Sequence, residues 1–476
     1  MKMSYIRHKT IKNKKYAYEI TAFWDKELKQ SRSVSKYLGP VESDTNEVIK
    51  FIKKNKSQEK LILDFGDGYF LHESIKNSEL YPILKDKIFN KIPGLFPLIM
   101  YRICTQSPMY NCENWLGGNV LSCLFGNVDL SSQRISDMLA FLGKESIQRN
   151  FFKEYLNLVG GSESALIIDA TSLPNQINID YNAWGRSDGK IEKQFKLLCV
   201  VDQLKKTPLF YRFLPGNLID VSTLQTTILE LEEMGVKNSF ILLDAGYFSE
   251  ANICDLYSRK MEFLTRMPAG RKIFKDIILN KTDGLENLEN AHILGKRSFF
   301  IKKIEIDLYG NKAIAHVILD PERKAKETKE LLQKYCNDKS ERDEDRDKLK
   351  FSSCGVMILV SSKEIPENEI VSAYYFRQTI EQIFGFSKND LGLLPMRHHN
   401  DLTVRGYLFM QFLSLIIYIK IREKIVAILT VEQAIMILRK LKCKVFDKKI
   451  IPAELTKDQK EIFGQMGILV PKFLGI

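Results

Sequence analysis

Four residues in the segment YYFRQTIEQIFGFSK have types and spacing that could do chemistry together: Tyr374, Arg377, Glu381 and Lys388, at offsets of 0, 3, 7 and 14. A helix turns roughly 100° per residue, which would gather all four on an arc about 60° wide. Phe376, Ile380 and Ile383 would then face the opposite way, toward a core. One helix face would carry a carboxylate flanked by two cations and a phenol. Two further carboxylates stand out. Asp169 follows Leu166-Ile167-Ile168, and Asp244 follows Phe240-Ile241-Leu242-Leu243. An acidic residue ending a buried strand faces a cleft at the sheet edge, although either aspartate alone would also suit the cap of a turn.

Three carboxylates brought together repel one another, each pair at 4 Å by on the order of 4 kcal/mol at an effective dielectric of 20. Such a cluster persists by protonation or by binding hard divalent cations. All-oxygen ligands favour Mg²⁺ or Mn²⁺ over zinc. Two such ions roughly 3.5–4 Å apart can activate a water or a 3′-hydroxyl and stabilise the leaving oxygen of a phosphodiester. Arg377 could then grip phosphate oxygens with two prongs and Lys388 as a point charge. Tyr374 could donate its hydroxyl or stack on a displaced base. Taken singly, Arg377 and Lys388 would be surface ion-pair partners; their shared face with Glu381 argues otherwise.

Positioning these groups requires a sheet. From residue 164 the chain reads as three successive strands, SALIIDATSL, FKLLCVVDQ and PLFYRFLPGN. A helix (VSTLQTTILELEEMG), a strand (NSFILLDAGYF), a helix (EANICDLYSRK) and a strand (MEFLTRMP) follow, an order that predicts a mixed central sheet. RSFFIKKIEIDLYG and NKAIAHVILD then interrupt the alternation, with Tyr309-Gly310-Asn311 as a hairpin turn and a charged helix after them. CGVMILVSS resumes with a strand, and Glu367–Lys388 is expected to be one helix.

Around this core, the alternation of Tyr16, Tyr18, Ile20, Ala22 and Trp24 predicts one arm of a β-hairpin, with a turn at Asp25-Lys26-Glu27. In DLSSQRISDMLAFLG, Ser131 or Ser132 suits an N-cap, Ile135, Met138 and Leu142 give an apolar stripe, and Gly143 a stop. A second helix is expected from about Ser146 to Leu158; plain helix packing is preferred there over a helix-turn-helix that reads DNA. Residues 401–445 read as two or three helices, and the tail after Pro452 carries no pattern.

The 476 residues imply several domains, and 45% hydrophobic with 27% charged residues is a globular composition. The net charge of +12 points weakly to a polyanionic partner. Its distribution says more: residues 1–40 hold ten Lys/Arg against three Asp/Glu, and 383–476 hold fifteen against eight. The run Glu322–Lys350, ten basic against nine acidic, reads as a solvated helix. Eight cysteines form no CxxC and do not join the six histidines at zinc spacing, which favours reduced thiols in a cytosolic protein. MKMSYIRHKTIKNKKY lacks the apolar region of a signal peptide. The most apolar run, Tyr407–Ile419, is 13 residues against the roughly 20 that span a bilayer, so a buried helix and no membrane are expected.

These residues resemble a known family. Y-x2-R-x3-E-x6-K, matched by Tyr374, Arg377, Glu381 and Lys388, is the mark of a large group of bacterial and archaeal insertion-sequence DDE transposases. IIDATSL is similar to that family's first-Asp strand, PGNLIDVSTL to its connector into the next helix, and LLDAGYFS to its second-Asp strand. LSSQRISDMLAFLG and the basic start ending in KYLG resemble the N-terminal part of one subgroup, so the likeness runs from about residue 5 to about 440.

The resemblance implies an α/β fold: a ribonuclease H-like mixed-sheet catalytic core with a β-rich insertion, plus helical N- and C-terminal regions. The expected organisation is a basic β-hairpin region over 1–44, a helical DNA-binding region over 45–160, a catalytic core split over 161–268 and 351–395, a β-rich insertion with a charged helix over 269–350, and a helical C-terminal region over 396–476. By carry-over, Asp169 bridges two divalent cations, Mg²⁺ or Mn²⁺, while Asp244 and Glu381 each hold one, and Tyr374, Arg377 and Lys388 contact DNA. The implied activity is cleavage at terminal inverted repeats and strand transfer into target DNA. It would act on double-stranded element ends and target, as a dimer in a synaptic complex, in the cytoplasm at the nucleoid. Ala245 departs from the Asp-Arg/Lys-Gly that many relatives carry after the second aspartate. A catalytically silent DNA-binding relative, or a ribonuclease H-fold nuclease without strand transfer, are the alternatives.

Overall fold

The structure, a computed structural model, describes residues 3–11, 14–25, 30–41, 60–126, 128–159, 165–187, 189–236, 239–337, 344–425 and 429–475. The turn expected at residues 26 and 27, the boundaries near 44 and 160, and the middle of the charged run (338–343) lie outside the described residues. Contacts divide the chain into two units, Met1–Lys60 and Leu61–Ile476.

In the first unit the basic start is itself a strand. β1 (Met3–Ile11), β2 (Lys14–Asp25) and β3 (Gln30–Pro40) form an antiparallel sheet with β2 in the middle, one strand more than a hairpin. Lys9 lies 5.2 Å over the ring of Tyr18, whose centroid is 5.3 Å from that of Tyr37. Such cation–π and cross-strand aromatic pairs tie neighbouring strands together where apolar residues are few.

The second unit opens with a short strand, β4 (Leu61–Asp64), and is organised on a ten-stranded mixed sheet. Its strands are β5 (Leu166–Pro174), β6 (Ala183–Ser187), β7 (Lys190–Asp202), β8 (Pro208–Pro215), β9 (Phe240–Leu243), β10 (Glu262–Arg266), β11 (Ala291–Leu294), β12 (Arg297–Leu308), β13 (Asn311–Leu319) and β14 (Val356–Ser361). Across the middle the order is β8-β7-β5-β9-β10, with β7 antiparallel to both neighbours and β5, β9 and β10 parallel. These central strands are near-continuous apolar runs because helices cover them. Ile167, Ile168, Leu242, Leu243 and Leu264 are all almost fully buried.

The β-rich segment does not stand apart from this sheet. β12 and β13 meet at Tyr309 (φ 57°) and Gly310 (φ 84°), the two left-handed residues of a tight hairpin turn, as the Tyr-Gly-Asn junction predicts. β13 pairs with β14, and β14 with β10, so the hairpin extends the central sheet at one edge. Within the charged run, Pro321–Asn337 and Glu344–Ser352 are helical.

Helices α1 (Gly66–Lys76), α2 (Ile92–Cys104), α3 (Ser132–Leu142) and α4 (Glu145–Val159) precede the sheet in sequence. After β14 come α5 (Glu367–Tyr375), α6 (Gln378–Gly385), α7 (Asp401–Ile425) and α8 (Val431–Arg439). α7 is apolar and long enough to cross a membrane, with mean hydropathy 1.5 over its best window, yet 83% of that window is buried in the protein. Phe151 and Phe152 of α4 meet Phe409 and Phe412 of α7 at 5.0 and 5.4 Å. α3 crosses α7 so closely that a Cβ on Gly406 would lie 1.7 Å from the Leu139 carbonyl oxygen, and one on Gly143 1.9 Å from that of Leu402. Gly143 is therefore required for close approach more than as a stop signal. Both α3 and α4 spend their apolar faces on core packing.

The C-terminal segment is not purely helical. β15 (Lys442–Phe446), β16 (Lys449–Pro452) and β17 (Leu474–Gly475) join β4 in a four-stranded sheet. β15 pairs with a strand 378 residues away in sequence (Lys442 with Asp64), a contact that no local pattern announces. Buried Asp67 of α1 fastens the two ends, accepting from Arg439 Nε at 2.9 Å and Asn119 Nδ2 at 2.9 Å.

Candidate active site

The sheet register puts the two aspartates side by side. Ile168, Leu243 and Thr265 form one row across β5, β9 and β10. One step further along come Asp169, Asp244 and Arg266, at the carboxyl end of the parallel strands, where open α/β sheets place their sites. Asp169 does not end its strand, contrary to expectation: β5 runs on to Pro174 against β7. It sits instead where the parallel partner β9 gives out. Thr171, two residues on, shares the face of Asp169.

The segment facing this row is not one straight helix. α5 ends at Tyr375 and α6 begins at Gln378. Between them the N–H of Arg377 donates to Tyr374 O at 3.1 Å and that of Ile380 to Arg377 O at 3.1 Å. These three-residue closures wind the chain more tightly than an α-helix. Phe376 is consequently 42% exposed instead of in the core, while Ile380 and Ile383 are buried as expected. After α6 the turn Phe386–Asp390 widens, with the Leu391 N–H reaching back to Phe386 O at 2.9 Å. It is a π-type turn, a distortion frequent at functional sites, and it carries Lys388.

Despite the break, all six predicted residues gather in one place. Arg377 is at the focus: Nη1 lies 3.0 Å from Asp169 Oδ2, Nη2 3.0 Å from Glu381 Oε1 and Nε 3.8 Å from Asp244 Oδ1. Tyr374 is buried and donates its hydroxyl to Asp244 Oδ1 at 3.2 Å. Lys388 Nζ donates to Thr171 Oγ1 at 2.7 Å and Ser172 O at 3.0 Å, on the strand that bears Asp169. One guanidinium thus holds three carboxylates that would otherwise repel one another.

Burial pushes the Asp169 carboxyl up to about 6; Arg377 and the Ala170 N–H, 2.8 Å away, oppose the rise, and Asp244 and Asp220 add to it. Burial, then the charge of Asp244, pushes the Tyr374 phenol well above its usual range, so it is a fixed hydrogen-bond donor. Burial alone would lower Arg377, but the carboxylates around it reverse the sign and its affinity for its proton rises.

Sequence reasoning missed three neighbours. Asp220 lies close enough for its charge to act on Asp169, and it is held by Lys196 at 2.7 Å. Both sit in or beside the PGNLIDVSTL connector and its facing strand, where no spacing rule marks them. Arg266 ends β10 in the aspartate row, and its charge reaches the Tyr374 phenol. It stands one strand from Ala245, the position where a cation would otherwise follow the second aspartate.

Among the described residues, no group of three His, Cys, Asp or Glu side chains is drawn together closely enough to hold a metal ion. The donor chemistry nevertheless suits hard divalent cations. All three side chains offer only oxygen, and each already lies within 3.8 Å of a positive nitrogen at a common focus.

Fold and site together define an α/β enzyme with acidic and basic groups facing each other across the carboxyl ends of parallel strands, a constellation for phosphodiester chemistry. A family model for the transposase DDE domain matches residues 160–417. That span covers more than half of the chain and all six site residues, and the protein belongs to the DDE transposase family. It is accordingly an enzyme of DNA transposition, acting by DNA cleavage and strand transfer, in a family that generally uses divalent metal ions. No curated protein matches the chain. Six chains among solved structures do. One, a cryo-EM structure of a piggyBac transposase synaptic complex with hairpin DNA, is 10% identical over 78% of this chain and 75% of that one, with a TM-score of 0.42.

Proposed function

We propose that Asp169, Asp244 and Glu381 are the acidic triad of this transposase and hold two divalent cations, Mg²⁺ or Mn²⁺. What supports the reading is the convergence of all three on the guanidinium of Arg377. When bound, the ions lower the proton affinity of the attacking oxygen and stabilise the leaving one. The chain's own residues do the rest. Asp169, Asp244 and Glu381 supply negative charge at fixed positions on two strand ends and a helix. Arg377 leaves the carboxylates for the phosphate, offering paired N–H donors to the non-bridging oxygens. Lys388 adds a point charge beside Thr171. Tyr374, protonated throughout, keeps Asp244 oriented. The attacking water or 3′-hydroxyl gives its proton to solvent as its oxygen bonds to phosphorus, the bridging P–O3′ bond breaks, and the leaving O3′ takes up a proton from solvent to become a hydroxyl.

The order β8-β7-β5-β9-β10, three antiparallel strands and then two parallel ones with the carboxylates on adjacent strands, favours a ribonuclease H-like core for 161–268 and 351–395. The Y-x2-R-x3-E-x6-K spacing favours the bacterial and archaeal insertion-sequence group. On this reading the helical region over 45–160 contacts DNA, the basic region over 1–44 adds positive charge, and the core, interrupted by the β-rich insertion of 269–350, does the cutting. The substrate is double-stranded DNA at terminal inverted repeats and at the target, engaged by a dimer at the nucleoid in the cytoplasm.

The test is incubation with Mg²⁺ and duplexes carrying the repeats that flank the gene. Cleavage and joined products that vanish in Asp169→Ala are expected. Binding without cleavage would indicate a silent relative, and cleavage without joined products a nuclease; either would overturn the proposal.

A further inference from the structure

Arg102 of α2 is 3% exposed, and its Nε has no hydrogen-bond partner. Among the described residues no carboxylate forms an ion pair with it; the face of the Tyr407 ring lies 5.9 Å from its guanidinium carbon. Taking a guanidinium out of water is costly unless a counter-charge meets it. Arg102 instead lines a cavity of about 240 Å³ between α2, α3 and the loop that follows Lys388. That cavity also presents Arg397, His398, Gln106 and the serines Ser132 and Ser136, and among the described residues no aspartate or glutamate lines it.

Three further observations give the cavity the chemistry of an anion site. The first turn of α3 opens on it through Ser132; the N-cap residue Ser131 makes no side-chain capping bond and its own N–H donates to Asp129, which leaves the first-turn amides of 132–134 for a ligand. Of the acids nearest that helix end in sequence, Asp137 pairs with Arg134 at 3.0 Å, and Asp129 accepts from the Ser131 N–H at 2.9 Å with Arg134 3.8 Å away. Burial, followed by the charges of Arg102 and His399, lowers His398 to about 4, leaving a neutral ring that can donate one hydrogen bond.

The cavity is also continuous with the active site along the chain. Its wall Gly392–His398 begins just past Lys388, and Gln106 Nε2 donates to the carbonyls of Asn389 and Asp390 at the end of the turn bearing Lys388. Tyr110, 60% exposed at the rim, offers a ring face for a base. We propose that this cavity binds a backbone phosphate of the DNA whose neighbouring phosphates occupy the active site, with Arg102 and Arg397 as its cationic partners. The proposal rests on the DNA-cleaving reading above and adds a second phosphate contact outside the catalytic set.

The test is equilibrium binding of the full chain to element-end and unrelated duplexes without divalent cation, over a salt series. Each lost phosphate contact should lower the slope of log K against log salt by about 0.9 and weaken both duplexes alike. That drop is expected for Arg102→Gln and for the exposed, fold-neutral Arg397→Ala, but not for Lys329→Ala on another exposed helix. Should Arg102→Gln fail to fold, Arg397→Ala decides by a lowered slope and Ser132→Ala by weaker binding of both duplexes at unchanged slope. An unchanged slope in Arg397→Ala together with undiminished binding in Ser132→Ala, with the wild type still binding DNA, overturns this inference alone. Wild-type protein that binds no duplex overturns the DNA reading as well. A melting temperature raised by inorganic phosphate or a mononucleotide, with DNA slopes unchanged, would assign the cavity to a free phosphate and overturn the DNA assignment.

Discussion

Replacing Arg377 by alanine should have opposite effects on metal binding and on catalysis. Its pair with Asp169 joins side chains 20% and 16% exposed, whereas Asp244 and Glu381 are 37% and 55% exposed. Removing one partner of a buried pair costs about 3–5 kcal/mol, and exposed pairs are worth roughly 0.2–1 kcal/mol each. One pair of the first kind and two of the second sum to about 3–7 kcal/mol for the metal-free protein, some of it recovered by local relaxation. With the guanidinium gone, three carboxylates face one another without a counter-charge, and a divalent cation should bind more tightly than to the wild type. At a free concentration ten times its dissociation constant it returns about 1.4 kcal/mol. Thermal melting with and without Mg²⁺, together with calorimetric titration, reads both quantities. The variant should melt lower without metal, gain more from Mg²⁺ than the wild type does, and lose cleavage by about 10²-fold or more. Equal metal-free stability, or a smaller gain from Mg²⁺, would refute the idea that Arg377 substitutes for the cations.

Tyr374→Phe removes a single hydroxyl from Asp244, so it should cost about 1 kcal/mol of stability and reduce cleavage far less than Arg377→Ala; a loss as deep as that of Asp169→Ala in the same assay would give the phenol a direct role. His398, lowered to about 4 by burial and then by Arg102 and His399, is near 6.5 when unfolded. Its contribution is therefore full above pH 6.5 and is lost as pH falls through 4, by up to about 3 kcal/mol at about 1.4 per pH unit. Denaturant unfolding between pH 7 and 4.5 should show that decline in the wild type and a shallower one in His398→Gln. Gly406→Ala would drive a methyl into the Leu139 carbonyl and should destabilise by about 1–3 kcal/mol, read as a lower melting temperature.

The residues legible in the sequence were those whose position follows from local pattern. Asp169 and Asp244 announce themselves because apolar strand runs stop at an acid, and Glu381 because a helical repeat sets it beside Arg377 and Lys388. The gathering of all six survives an error in the geometry that suggested it. The uniform 100° rotation fails at Phe376 and Arg377, where three-residue closures intervene, and again in the widened turn after Gly385. Backbone closures of this kind are set by what the segment packs against, and Phe376 moves to solvent as a result. Asp220, Lys196 and Arg266 were hidden because their relevance depends on which strand ends lie adjacent, a property of sheet order. The pairing of β15 with β4 was hidden for the same reason. Arg102 reads in sequence as one polar residue in an apolar helix, and only the cavity beside it gives it meaning.

The central claim, that Asp169, Asp244 and Glu381 form one catalytic set around Arg377, is tested most directly by strand cleavage of flanking-repeat duplexes in Mg²⁺ with Asp169→Asn, Asp244→Asn and Glu381→Gln prepared separately. Each variant should fold, still bind the duplex, and lose cleavage and joining by about 10³-fold or more. Wild-type cleavage by any one of the three would contradict it.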